Sequence, residues 1–306
     1  TEVIAHLIEE KLKGLTGPVS APRSGDFNEP LLFEATRLAL NEVRGAYALA
    51  VLWAKTPGVI IAAKTASPLI IGLGQGENFL ASDIPAFLAY TRKAVFLEDG
   101  EMAVLKAGGC TYFTLAGKKI EKAVTQIQWD RTMAEKAGHR HFMLKEISEQ
   151  ASSCEDTMRG RFYPMPGMLE RETGLSVETL RGLRQVHMVA CGTAYHACLV
   201  GKYWLEKMAG VPVQVETASE FRYRETTIGS GDLVITVSQS GETADTLAAA
   251  RLAKEKGAKI FSVCNTVGSA ITRAADYNFP TRCGPEYGVA STKAFTGQLT
   301  ALFLFV

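Results

Sequence analysis

Short apolar runs alternate with amphipathic segments through the C-terminal part of the chain. The first run, Gln185 to Ala190, has the composition of a buried strand, and the last segment, from Ser291 onward, has helical spacing. The predicted elements between them are Ala194 to Met208, Val211 to Glu216, Leu233 to Val237, Glu242 to Lys256, Lys259 to Cys264, Ala270 to Ala275 and Tyr277 to Thr281. Such alternation predicts an α/β fold, with a parallel sheet flanked by helices.

The N-terminal part has a different pattern. Two amphipathic helices are predicted, from Val3 to Gly14 and from Phe33 to Val43, separated by a Gly-, Pro- and Ser-rich loop from Gly17 to Pro30. Closely spaced strands are then predicted at Ala46 to Trp53, Val59 to Ala63, Leu69 to Leu73, Ala94 to Leu97, Met102 to Lys106 and Cys110 to Leu115. No connection there is long enough for a parallel crossover, so antiparallel pairing is predicted.

A polar segment separates the two patterns. Gln128 to Gly138 is polar and charged, which is typical of a linker. The following segment, His139 to Gln150, is predicted to be a helix, and helical or irregular sequence continues to Arg184.

Composition and charge narrow the possible functions. Of the 306 residues, 47% are hydrophobic and 21% are charged, close to the average for soluble globular proteins. The 33 Lys and Arg residues nearly balance the 32 Asp and Glu residues, giving a formal charge of +1. Nucleic-acid-binding domains usually carry an excess of basic residues, and this chain has no such excess. The charge also gives no reason to expect a membrane surface as partner.

Cysteine usage and targeting signals predict a cytoplasmic protein. The six cysteines are scattered and form no C-x-x-C pair, unlike a secreted disulfide scaffold. No His and Cys cluster has metal-ligand spacing, so no cofactor is expected. The N-terminus does not resemble a signal peptide, and no apolar stretch approaches the roughly 20 residues that span a bilayer.

Three loops after predicted strands share one composition. They are Cys191-Gly192-Thr193-Ala194, Ser238-Gln239-Ser240-Gly241-Glu242-Thr243 and Gly288-Val289-Ala290-Ser291-Thr292-Lys293. Each combines small residues, hydroxyl groups and a helix start. A helix N-terminus presents unpaired N–H groups and about half a positive charge, which suits a phosphate. In parallel α/β folds, ligands bind at the carboxyl ends of the strands, so these loops predict a phosphate site.

Ordinary helix capping is the alternative explanation for each loop, because Ser and Thr are preferred N-cap residues. Capping accounts well for the loop at Cys191. Between Ser238 and Thr243, however, three hydroxyls, an amide and a glycine exceed what a cap needs. The loop has no Lys or Arg and no G-x-x-x-x-G-K-[ST] motif, which favours a phosphomonoester held by neutral donors over a Walker loop.

These loops, together with motifs along the whole chain, closely resemble the glutamine–fructose-6-phosphate aminotransferase (isomerizing) family, also called glucosamine-6-phosphate synthases. The resemblance is carried in the C-terminal part by Cys191 to Thr193, Ala218 to Arg224, Ser238 to Thr246 and Gly288 to Thr296. Earlier matching motifs are Thr1 to His6, Arg44 to Tyr47, Gly76 to Phe79, Ala81 to Asp83 and Lys145 to Gln150.

The resemblance implies a domain order and a reaction. Residues 1–127 would be the C-terminal part of a type 2 glutamine amidotransferase domain, the rear half of an N-terminal-nucleophile αββα fold. Residues 128–180 would be a linker and leading helices, and residues 181–306 an incomplete first sugar isomerase (SIS) domain. The family frees ammonia from glutamine and converts fructose 6-phosphate to glucosamine 6-phosphate.

The resemblance also assigns site residues. The family's sugar-phosphate contacts match Thr193, Ser238, Gln239, Ser240 and Thr243, and the positions that line the sugar match Val289 and Ser291. Ala194 departs from the family, which often has Ser there.

The family's catalytic residues have no match in this chain. The family nucleophile is an N-terminal Cys, whereas no Cys precedes Cys110, and the Arg and Asn-Gly oxyanion segment are absent. The catalytic His, Glu and Lys of the family belong to a second SIS domain, which would lie beyond Val306. We therefore expect a fragment lacking both ends and inactive alone, whose intact enzyme uses glutamine and forms a homodimer.

A SIS-type sugar-phosphate sensing module without catalysis is the alternative function. Regulators of that type would carry a basic helix-turn-helix segment where this chain has glutaminase-like strands. Other residues that could have a catalytic or binding role are explained by ordinary structural positions. These positions are a helix for Thr1, a turn for Gly72, Gly74 and Gly76, a solvated segment for His139 and His141, a small residue in the wall of the site for Cys191, and a helix for His196.

Overall fold

The structure is a computed structural model that describes residues 2–16, 29–129, 135–161 and 167–306. The chain forms two compact units, Thr1–Arg131 and Thr132–Val306. Most of the loop predicted from Gly17 to Pro30 and part of the linker predicted from Gln128 to Gly138 lie outside the described residues.

The described residues of the first unit form two α-helices, a short 3-10 helix (Ile84–Ala86) and two antiparallel sheets. Helix α1 spans Glu2–Thr16 and α2 spans Glu29–Glu42. The strands are β1 (Tyr47–Val51), β2 (Ile60–Thr65), β3 (Ile70–Leu73), β4 (Asn78–Ala81), β5 (Lys93–Phe96), β6 (Glu101–Lys106), β7 (Gly109–Thr114), β8 (Lys119–Ile120) and β9 (Thr125–Gln126). One sheet has the order β1-β2-β6-β7-β8, and the other has the order β4-β3-β5-β9.

The central strands β2 and β6 of the first sheet are buried on both faces. Ile61 and Met102 pack with Leu32 of α2, whereas Ala103 packs with Val95 of the second sheet. Adjacent strand residues point to opposite faces, so both faces need apolar side chains. This packing explains why β2 and β6 are nearly continuous apolar runs rather than alternating ones.

The antiparallel pairing predicted for this unit is confirmed. The predicted strands are present, although their ends differ by up to two residues, and β4, β8 and β9 were not predicted. Gly74 and Gly76 lie in the turn that joins β3 to the antiparallel strand β4, as predicted. The same prediction is wrong for Gly72, which lies within β3 and pairs with Phe79 of β4.

The second unit begins with helices and continues as an alternating α/β fold. The leading helices are α3 (Phe142–Ser148), α4 (Gln150–Met158), α5 (Met168–Thr173) and α6 (Val177–Arg181). The strands are β10 (Gln185–Ala190), β11 (Val213–Thr217), β12 (Asp232–Ser238), β13 (Lys259–Cys264) and β14 (Tyr277–Pro280). The remaining helices are α7 (Thr193–Trp204), α8 (Ala218–Phe221), α9 (Ala244–Glu255), α10 (Ala270–Ala274) and α11 (Lys293–Phe305).

These strands form one parallel sheet in the order β11-β10-β12-β13-β14. One face packs on α7 and α11 through Met188, Ile235 and Phe261. The other face packs on α8 and α9 through residues such as Val234 and Ile260. The predicted parallel sheet with helices on both faces is therefore confirmed. The chain leaves β10 toward β11 and returns to β12 on the other side, which makes the carboxyl ends of β10 and β12 a topological switch point.

Several predicted helix boundaries are wrong. The helix predicted to begin at Ser291 begins at Lys293, because the backbone of Thr292 is not helical (φ −129°, ψ −82°). Ser291 Oγ and the Thr292 N–H donate to the Glu286 carboxylate just before the helix. The helix predicted from Glu242 begins at Ala244, because the backbone of Thr243 is extended (φ −63°, ψ 115°). Helix α7 ends at Trp204 and continues as a π-helical turn.

Further differences concern the helix predicted from His139 to Gln150, which begins at Phe142 and ends at Ser148. Within the described ranges, no helix combines the length and apolar character needed to cross a membrane. The same ranges contain no group of three or more His, Cys, Asp and Glu residues that could hold a metal ion.

Candidate functional site

A cavity of about 140 Å³ lies at the carboxyl ends of β10 and β12. Its lining residues are Cys191, Thr193, Ala194, Val237, Ser238, Gln239, Ser240, Thr243, Thr246, Ser291 and Gln298. Drug-sized ligands usually occupy pockets of roughly 300–1,000 Å³. This smaller, hydroxyl-lined cavity instead suits a compact polar group.

The β10–α7 loop forms one wall of the cavity. Gly192 makes the turn out of the strand with φ of 61°, a conformation that favours glycine. Helix α7 begins immediately afterwards at Thr193, so the Thr193 side chain lies beside the first unpaired N–H groups of that helix. Cys191 also lines the cavity, and the Thr246 hydroxyl donates weakly to its sulfur at 3.9 Å.

The β12–α9 loop has hydrogen bonds of its own that leave its hydroxyl protons available. Ser238 Oγ accepts from the Gly241 N–H at 2.9 Å, and Ser240 Oγ accepts from the Glu242 N–H at 3.2 Å. A serine hydroxyl has one proton to donate in addition to its acceptor sites. Both serines can therefore stabilise the loop and still donate to an anion in the cavity.

Gly241 is required in this loop for two reasons. Its φ is +69°, and a Cβ atom built on it would lie 2.0 Å from Ser269 Oγ. Its carbonyl oxygen accepts from the Ile271 N–H at 3.0 Å. The close approach of the loop to α10 leaves no room for a side chain at this position.

The segment after β13 supports the same loop from behind. The Thr266 N–H donates to the Gln239 carbonyl oxygen at 3.3 Å. Cys264 lies beneath the loop, with its thiol 3.8 Å from the same oxygen. Burial raises the pKa of Cys264 to about 11, so this thiol stays protonated at neutral pH and is not a nucleophile.

Two buried carboxylates hold the loop before α11. Glu286 accepts from the Thr292 N–H at 2.8 Å and from Ser291 Oγ at 2.9 Å. Glu146 of α3 accepts from the Tyr287 N–H at 2.6 Å and from the Gly288 N–H at 3.1 Å. These bonds fix the position of Ser291 at the cavity.

The cavity has a favourable potential for an anion without any charged side chain in its described lining. Helix α7 begins at the lining residue Thr193, whereas α9 begins one residue after Thr243 and α11 two residues after Ser291. The N-termini of α7 and α9 each contribute about half a positive charge and unpaired N–H groups, whereas the Glu286 carboxylate already accepts from the Thr292 and Ala294 N–H groups at the start of α11. The helix termini and hydroxyls together can hold a phosphate group.

Six of the seven predicted site residues line this one cavity: Thr193, Ser238, Gln239, Ser240, Thr243 and Ser291. Val289 is fully exposed and is not among the lining residues. Thr246 and Gln298 also line the cavity and were not predicted. A possible signal for Gln298 was its polar side chain on the apolar face of a helix. His196 lies on α7 with its ring against Tyr195 rather than in the lining.

Comparison with known proteins identifies the second unit's fold family. The SIS domain family matches residues 179–306, a range that contains the whole parallel sheet and the cavity. Residues 179–306 are a SIS domain. The sugar-phosphate site predicted from sequence therefore lies within the SIS domain.

Curated relatives resemble the chain far beyond the SIS domain. The chain is 45% identical over 304 residues to glutamine–fructose-6-phosphate aminotransferase [isomerizing] of Caldanaerobacter subterraneus subsp. tengcongensis, with 99% of this chain and 47% of that protein covered. It is 48% identical over 305 residues to the protein of the same name from Symbiobacterium thermophilum, with 99% and 48% covered. The resemblance stated from the motifs is thus confirmed, and the chain spans about half the length of these relatives.

A solved structure is similar to more than half of the chain. It is the C-terminal domain of glucosamine-fructose-6-phosphate aminotransferase from Francisella tularensis, with 42% sequence identity and a TM-score of 0.53. The similarity covers 56% of this chain and 48% of that one.

Proposed function

We propose that this chain supplies the sugar-phosphate-binding part of a glutamine–fructose-6-phosphate aminotransferase, which converts fructose 6-phosphate to glucosamine 6-phosphate with nitrogen from glutamine. The observation that carries the proposal is the cavity at the ends of β10 and β12, where hydroxyl groups meet helix N-termini. The names of the relatives at 45% and 48% identity support the choice of substrate.

The phosphate group would bind to the two loops at the switch point. Thr193 comes from the first loop, and Ser238, Gln239, Ser240 and Thr243 come from the second. Neutral O–H and N–H donors satisfy the phosphate oxygens, while the helix termini balance part of their charge. This arrangement requires no Lys or Arg.

The sugar would extend from the phosphate toward the loop that precedes α11. Ser291 donates to Glu286, so its oxygen remains able to accept from a sugar hydroxyl. The exposed Val289 is proposed to contact the sugar on the solvent side. Phosphate binding far from the reacting carbonyl would position that carbonyl and provide binding energy for the reaction.

The first unit is proposed to belong to the glutamine-using half of the same enzyme. Its two antiparallel sheets, with helices on one outer face, agree with the rear part of an N-terminal-nucleophile glutaminase. We assign residues 1–127 to that domain, residues 128–180 to the linker and leading helices, and residues 181–306 to the SIS domain. The intact enzyme is proposed to be a cytoplasmic homodimer.

Isothermal titration calorimetry of the chain tests the binding function. Fructose 6-phosphate and glucosamine 6-phosphate should bind, whereas fructose should not. Ser240→Ala removes a hydroxyl donor and should weaken binding by about 10- to 100-fold, because hydrogen bonds to charged groups contribute about 1.5–3 kcal/mol. Ser230→Ala, at an exposed serine outside the cavity, is the matched control. Equal binding of fructose and its phosphate would contradict the proposal.

A further inference from the structure

Gln298 is a polar residue on the apolar face of α11. The other buried residues of this face include Ala294, Ala301, Leu302 and Phe305. Residues three and four positions apart share one face of a helix, so Gln298 occupies a position where the pattern calls for an apolar side chain. Its side chain is only 1% exposed.

The amide oxygen of Gln298 is buried without a partner. Oε1 accepts no hydrogen bond from any residue in the part of the chain that the structure describes. A buried polar atom in this state destabilises the fold, and native proteins contain few of them. Retaining a glutamine here therefore requires an explanation other than packing.

The position of Gln298 supplies that explanation. Its side chain lines the same cavity as Ser238, Ser240 and Thr243. A carbonyl oxygen can only accept, so it must meet a donor. A phosphate monoester dianion has no proton to donate, whereas the sugar attached to it has several hydroxyl groups.

We propose that Gln298 Oε1 accepts a hydrogen bond from a hydroxyl group of the bound sugar and thereby selects a sugar phosphate over a simple phosphate ester. This assignment rests on the proposed function. The loops that bind phosphate recognise any phosphomonoester, and Gln298 adds recognition of the polyhydroxylated part. Gln298 is a specificity residue in this scheme.

The test uses Gln298→Met, which keeps an unbranched side chain of similar length but removes the acceptor. Calorimetry at pH 8 with fructose 6-phosphate and methyl phosphate compares a ligand that has sugar hydroxyls with one that has none. The variant should bind fructose 6-phosphate about tenfold more weakly and methyl phosphate within twofold of the unmodified chain. Its thermal unfolding temperature should equal or exceed that of the unmodified chain. Gln214→Met, at an exposed strand position, is the control.

The outcomes separate the two claims. If the unmodified chain binds neither ligand, the proposed function fails and the assignment fails with it. If it binds both and Gln298→Met leaves the affinity for fructose 6-phosphate unchanged, only the assignment is overturned. Equal weakening of both ligands would place the amide on the phosphate and overturn the assignment too. If Gln298→Met folds poorly, Gln298→Leu is measured instead, and a lowered unfolding temperature in both variants would overturn the assignment in favour of a packing role.

Discussion

The Glu146 carboxylate accepts a hydrogen bond from the backbone N–H of Gly288 at 3.1 Å, although 142 residues separate the two in the sequence. Glu146 is only 1% exposed, and a Cβ atom on Gly288 would lie 2.6 Å from its Oε2. The absence of a side chain at Gly288 thus permits this approach. Through it, α3 determines the position of the loop that carries Val289 and Ser291.

Replacing Glu146 with Gln should loosen that loop. The amide has one acceptor oxygen in place of two, and its NH₂ group would oppose a backbone N–H. Amide hydrogen exchange at Tyr287 and Gly288 should accelerate by at least about tenfold, since a hydrogen bond to a charged acceptor contributes about 1.5–3 kcal/mol. Glu155→Gln, an exposed site on α4, is the control. Unchanged exchange at Gly288 would show that the carboxylate does not hold the loop.

Replacing Gly241 with Ala should destabilise the fold more than the same change at Gly210. Both glycines have positive φ, but a Cβ atom at Gly210 meets nothing within 4 Å, whereas at Gly241 it meets Ser269 Oγ at 2.0 Å. Backbone strain alone costs about 1–2 kcal/mol, and overpacking adds about 1–3 kcal/mol. Chemical denaturation of both variants measures the difference. Equal losses of stability would contradict the predicted contact with Ser269.

The free energy of unfolding should decrease as the pH is lowered, because of His187. This residue of β10 is 3% exposed, and burial lowers its pKa. Of the nearby charges, Arg224 and Arg184 also lower it, while Asp232 and Glu216 oppose the shift.

The direction of the effect follows from proton binding. Below about pH 6.5 the unfolded chain takes up a proton at His187 that the folded chain does not yet bind, so the free energy of unfolding decreases as pH falls. Above that pH both states are neutral and the effect disappears. Urea denaturation between pH 7 and pH 5 should show a smaller loss of stability in His187→Gln than in the unmodified chain. His141→Gln, at an exposed position, should keep the original slope.

Ligand binding should protect Cys191 from alkylation. Cys191 is partly exposed and lines the cavity, whereas Cys264 is buried with a pKa raised to about 11. Iodoacetamide at pH 8 should modify Cys191 in the free chain and much less in the presence of saturating fructose 6-phosphate. Cys264 should react in neither case. Peptide mass spectrometry, with the partly exposed Cys154 of α4 as internal reference, reads out both sites.

Local patterns predicted the parts of the fold in which neighbouring residues decide the structure. The bounds of β10 and β13 agree with the mainly apolar runs Gln185 to Ala190 and Lys259 to Cys264, since a strand buried on both faces is predominantly apolar. The strand Asn78–Ala81 was missed because it has only four residues, all of them partly exposed. The glycines of the preceding turn, Gly74 and Gly76, were easier to recognise in the sequence than the strand itself.

The loops of the candidate site could also be predicted from the sequence, because small residues and hydroxyl groups just before a predicted helix form a local pattern. The contact between Glu146 and Gly288 could not be predicted, since pairing across 142 residues depends on the complete packing. Gln298 could be predicted only in part. Its polarity on an apolar helix face was visible in the sequence, but its approach to the cavity depends on how α11 packs.

The β12–α9 loop is already fixed before any ligand arrives. Ser238 Oγ and Ser240 Oγ each hold a backbone N–H, and Ile271 holds the carbonyl oxygen of Gly241. An incoming phosphate would therefore not have to order the chain, and little conformational entropy would be lost on binding. The association rate constant should accordingly vary with solvent viscosity and ligand charge, as expected for encounter by diffusion, while differences in affinity among related ligands should come from how fast each one leaves.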